Sequence, residues 1–203
     1  MTQANAKEAG QPIAGYTYGT AAVPPSPVSL TELDLLRQAA QLGPEEEQWL
    51  RRAGEVLADQ AEVLVDHWRA IIAAHPHLAA YSAGPDGRPN PAYAAASRPR
   101  FVQWVRDVCQ RPYDQAWLDY QHEIGLRHTH ARKNQTDGVS SAPHIPLRYV
   151  LAFAAVVITT TRPFLASRGH PAEDVELMYD AWCKAVIVHV SLWSEAYVPR
   201  ADW

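Results

Sequence analysis

From Leu33 to Tyr197 the apolar residues return every three or four positions and nowhere alternate with polar ones, which restricts the chain to packed helices. Six helical segments follow from that pattern. Ser29 and Glu32 form a capping box ahead of Leu33, Leu35 and Leu36, and Gly43 stops the segment. Pro44 opens the second, with Glu45 to Glu47 complementing the positive end of its dipole. Its apolar positions, among them Trp49, Leu50, Leu57, Leu64 and Trp68, predict one helix down to Ala74, where His75-Pro76-His77 breaks it. Asn90 and Pro91 start a third towards Cys109, and Pro99 inside it predicts a lost hydrogen bond and a kink. Asp114 caps a fourth, Gln115 to about Lys133. Pro146 begins a fifth, Leu147 to Leu165, which is apolar nearly all round and so expected to be buried. Pro171, with Glu173 and Asp174, opens a sixth to about Tyr197. The expected class is all-α.

Residues 1–28 read differently. Pro12, Pro24, Pro25 and Pro27 interrupt them and no apolar period is sustained, so they are expected to form an arm before a domain over 29–203. Tyr16 and Tyr18 make the arm more aromatic than a linker and suggest that it lies down on the domain. A length of 203 residues suits one such domain. The net charge of −4 and pI near 6.1 speak against a nucleic-acid partner. Residues 1–11 are polar, unlike a signal peptide, and the apolar run Val150 to Thr161 is shorter than the ~20 residues of a membrane span. A cytoplasmic protein with no membrane partner is expected.

Chemistry must come from few sources. The sequence has no GxSxG elbow, no HExxH, no paired CxxC and no Walker loop, and Cys109 and Cys183 cannot build a disulfide framework. It does have nine histidines. Trp117, Gln121, Ile124 and His128 share one face of the fourth helix, so His128 ends a mostly apolar stripe. That imidazole is either a core histidine or an axial ligand offered to a flat apolar cofactor such as haem. A zinc site with His130 and His144 fits poorly, because a two-residue step points opposite ways on a helix. Trp68, Phe101 and Phe153 come from three helices, each on an apolar face. Arg69 alone reads as a solvated or snorkelling side chain.

Several dispersed stretches carry a resemblance. They are Ile13-Ala14-Gly15-Tyr16-Thr17-Tyr18-Gly19, Ala53-Gly54-Glu55-Val56-Leu57, His75-Pro76-His77-Leu78, Trp117-Leu118-Asp119-Tyr120-Gln121-His122-Glu123-Ile124-Gly125-Leu126-Arg127-His128 and Lys133-Asn134-Gln135-Thr136-Asp137. With Pro163-Phe164-Leu165-Ala166 and Met178-Tyr179-Asp180-Ala181-Trp182 they resemble the protoglobins, single-domain relatives of the globin-coupled sensors, over nearly the whole chain. The resemblance implies a globin fold with an extra leading helix and an arm, and a haem b whose iron His128 holds. It places Trp68 and Phe101 on the distal side, with Arg69 where the family often has tyrosine, and Ser97 one turn before Phe101 at the distal gate. Ile124, Ile145, Val150, Phe153 and Val157 would complete the lining. It further implies reversible binding of dioxygen, carbon monoxide or nitric oxide, and a homodimer through the last two long helices. Two other functions are compatible with it. One is a haem enzyme in which Arg69 is the candidate catalytic group, for peroxidase-like chemistry, nitric oxide dioxygenation, nitrite reduction, or the carbene and nitrene transfer of engineered relatives. The other is a gas sensor that signals through a separate partner.

Overall fold

The computed structural model describes residues 12–203, so the start of the expected arm lies outside the described residues. The leading helix α1 (Leu30–Ala39) is set by its cap: Glu32 N–H donates to Ser29 Oγ at 3.2 Å, and Ser29 N–H donates to the Glu32 carboxylate at 2.8 Å. The chain then continues as α2 (Pro44–Leu57), α3 (Ala61–Ala74), α4 (Pro76–Ala79), α5 (Pro91–Gln110), α6 (Gln115–His128), α7 (Leu147–Thr159), α8 (Arg162–Ala166) and α9 (Ala172–Ser194). Among the described residues there is no strand, and the expected all-α class is the class observed.

Four expectations need correction. The segment expected to run unbroken from Pro44 to Ala74 is two helices, α2 and α3, with a turn over 58–60. The turn is held from outside: Gln60 Nε2 donates to Val56 O at 2.7 Å and to Phe164 O at 3.3 Å. The fourth helix stops at His128 instead of near Lys133, because Thr129 is extended and closes the last turn with N–H and Oγ donated to Leu126 O. The fifth segment divides at 160–161, ahead of Pro163, where the hydroxyls of Thr160 and Thr161 donate back to Val156 O and Val157 O. Nor is it buried. Val150, Ala154 and Val157 face the core, whereas Leu151, Ala152 and Ala155 are exposed, although Leu147–Ala166 is long and apolar enough to cross a membrane by length and composition. Pro99 is exposed on α5, which runs through it, and Cys183 is half-buried while Cys109 is buried.

The centre of the molecule is α9, which buries eleven side chains from Val175 to Trp193 against α2, α6, α7 and α8, while α2 also packs on α5. Two glycines set how closely these helices approach. A Cβ on Gly54 would stand 2.7 Å from Cys109 Cβ, and one on Gly125 would stand 3.0 Å from Trp193 O. The arm does lie down. Tyr16 and Tyr18 meet Tyr120 edge-on at 5.3 and 5.5 Å, and arginines from α5, α6 and the α5–α6 turn grip them. Arg100 reaches Ala14 O at 2.9 Å, Arg127 reaches Gly15 O at 2.8 Å, and Arg111 reaches the Tyr16 hydroxyl at 3.1 Å.

Candidate functional site

His128 is the last residue of α6, and its ring is fixed from two sides. Nδ1 lies 2.8 Å from Ile124 O, so Nδ1 carries the proton and donates, leaving Nε2 as a bare lone pair. The ring then stacks on Trp193 of α9, centroids 5.5 Å apart and planes 18° from parallel. Trp193 is itself held by its indole N–H, which donates to Gln121 Oε1 at 3.0 Å from one helical face with His128. Desolvation lowers the His128 pKa, the Ile124 carbonyl opposes that, and Lys133 and Arg127 add to the lowering. The ring is therefore neutral at pH 7. Behind it the segment leading into α7 is tied back to α6 and to the end of the chain: Ile145 N donates to His128 O at 2.8 Å and Tyr197 OH donates to Ile145 O at 2.7 Å.

The aromatic residues form one connected wall. Phe101 of α5 lies 5.3 Å from Trp68 of α3 and 5.8 Å from Trp104, and Trp104 lies 5.6 Å from Trp193. Trp68 and the His128 stripe are thus joined through α5 and α9. Trp68 is entirely buried; Val150 and Val157 are buried on α7, and Ile124, Phe153 and Phe101 are half-buried against the same core. His189 sits inside this wall, edge-on to Trp117 at 5.1 Å, accepting the Trp104 indole N–H at Nδ1.

The distal candidates are brought together by a cation. Arg69 turns along α5, donating from Nη2 to Ala94 O at 3.0 Å and from Nη1 to Ser97 Oγ at 3.4 Å, while Ser97 Oγ donates to Tyr93 O at 2.8 Å. Burial lowers the Arg69 pKa and the nearby Asp66 raises it, and no carboxylate among the described residues pairs with it. It is neither the freely solvated side chain of the composition argument nor an isolated charge. His130 and His144 stack on each other at 4.2 Å.

Sequence reasoning missed Trp193, the positioning role of Gln121, and Thr160, which accepts the Trp68 indole N–H. Gly125, one turn before His128, was the available signal, since a buried glycine mid-helix marks a close helix approach.

The donor set fits a haem. It offers one neutral, backbone-oriented imidazole with a free Nε2, flanked by aromatic and aliphatic side chains. The all-α class of the described residues is that of a globin. Residues 29–203 match the Protoglobin family model, and the chain belongs to the protoglobin family, globins that bind haem and diatomic gases. No curated protein matches it.

Proposed function

We propose that this protoglobin holds haem b through His128 Nε2 and takes dioxygen, carbon monoxide or nitric oxide on the opposite iron face. The observation that carries this reading is the His128 tautomer: Nδ1 is committed to Ile124 O and burial keeps the ring neutral, so Nε2 is the available ligand. The haem supplies the iron that binds the gas. Trp193 stops the His128 ring from rotating, and Gln121 stops Trp193 from tilting. Trp68, Phe101, Val150, Phe153 and Val157 exclude water, Ile124 and Ile145 enclose the proximal side, and Arg69 with Ser97 forms the polar edge of the distal side. The described part of the arm, residues 12–28, closes the domain of 29–203, held by Arg100, Arg111 and Arg127.

The protein works in the cytoplasm as a homodimer through α7 and α9. Supporting the dimer are the outward apolar residues Leu151 of α7 and Leu177 and Ile187 of α9, on the two long helices that the resemblance assigns to the interface.

Replacing His128 with alanine tests the reading. Haem incorporation, read from the Soret band, should be lost or greatly weakened, and added imidazole should restore it in part. An unchanged spectrum at full loading in His128→Ala would overturn the assignment.

A further inference from the structure

The indole of Trp68 has a single N–H, and the fold has committed it. Nε1 donates to Thr160 Oγ1 at 2.8 Å. Thr160 caps the C-terminus of α7, and its own proton goes to Val156 O at 2.7 Å, which leaves an oxygen lone pair for Trp68. The indole cannot readily turn away from this bond. It is entirely buried, with Phe101 at 5.3 Å, Trp104 at 6.2 Å and Trp182 at 6.4 Å, so a rotated N–H would have no water to meet.

Resting on the haem reading above, in which Trp68 and Phe101 wall the gas side, we infer that Thr160 is a positioning residue that sets ligand specificity. By holding the Trp68 N–H off the ligand it makes the indole an apolar wall. The Ser97 hydroxyl proton is committed to Tyr93 O at 2.8 Å, so Arg69 is the distal side chain with donors to spare, and its guanidinium is drawn towards Ala94 O and Ser97 on α5. Bound dioxygen accumulates negative charge and gains from a donor, whereas carbon monoxide gains much less. The Thr160 bond therefore biases the site towards carbon monoxide relative to dioxygen.

The test uses the haem-loaded protein. Thr160→Val keeps the shape and removes the acceptor, freeing the indole N–H. The C–O stretch of the carbon monoxide complex should move to lower wavenumber, and the ratio of dioxygen to carbon monoxide affinity should rise about tenfold, as for one new hydrogen bond. Thr160→Ser, which retains the acceptor, should keep the parent stretch, and adding Trp68→Phe to Thr160→Val should cancel the shift. A parent-like stretch and ratio in loaded Thr160→Val would overturn the inference and leave the haem reading standing. A parent chain that forms no carbon monoxide complex would instead remove the haem reading itself. Should the valine variant fail to fold, Arg69→Leu decides. Its bound carbon monoxide should vibrate identically in H2O and D2O, and a shift would show the indole proton on the ligand and overturn the inference.

Discussion

The imidazole of His128 lies almost flat on the indole of Trp193, 5.5 Å between centroids and 18° between planes, so the candidate ligand is oriented by a residue 65 positions later. Trp193 is nearly buried and its N–H is bound to Gln121. Trp193→Ala should destabilise the fold by about 3–5 kcal/mol, the cost of emptying a large aromatic site. In the same variant haem dissociation should be faster than in the parent, followed by transfer to an apo-globin acceptor; an unchanged rate would mean that the stack does not orient the ring.

Gly125 sets the distance at which that stack forms. A methyl group there would meet Trp193 O at 3.0 Å and Trp193 Cα at 3.2 Å, and neither is the end of a flexible side chain. Gly125→Ala should therefore cost about 1–3 kcal/mol through overpacking, despite the higher helix propensity of alanine. Urea denaturation of parent and variant measures it, and a stabilised variant would contradict the close contact.

His189 should make the protein lose stability in mild acid. Trp104, Trp117 and Trp193 face it, and no charged group among the described residues does. Desolvation brings its folded pKa from 6.5 down to about 3. Between those values the unfolded imidazole is protonated and the folded one is not. The unfolded state then binds more protons, and stability falls as pH falls through that window. Urea midpoints measured at several pH values should show this slope in the parent and a shallower one in His189→Phe.

Asp137 should control whether the arm stays down. Arg100 binds it through two bonds of 2.7 Å, and both side chains are largely buried. The same guanidinium holds Ala14 O. Asp137→Asn leaves Arg100 short of its counter-charge and should cost about 3 kcal/mol. Limited proteolysis should then cut near residues 12–20, where the parent is protected.

How much of this was legible depended on whether the cause was local. The Ser29–Glu32 capping box, the Asp114 cap and the four-residue spacing of Ile124 and His128 are short-range signals, and each appears in the structure where the pattern put it. The turn between α2 and α3 was invisible because no glycine or proline marks it and a carbonyl 104 residues away, Phe164 O, helps to hold it. The direction of Arg69 depended on Ala94 and Ser97 on another helix. The outward face of α7 was misread for a different reason. A side chain that awaits a partner and one that joins the core obey the same apolar pattern, so composition alone could not tell Leu151 from Val150.

The tryptophan wall has an optical consequence. Trp104 has the rings of Trp68, Trp182 and Trp193 at 6.2, 6.0 and 5.6 Å between centroids, close enough for light absorbed by one indole to be passed among all four. An absorber of near-ultraviolet light placed against His128 drains the whole set at once. Intrinsic fluorescence of the unlabelled chain is accordingly its own gauge of haem uptake, with a loss of emission far larger than a single nearby indole would give.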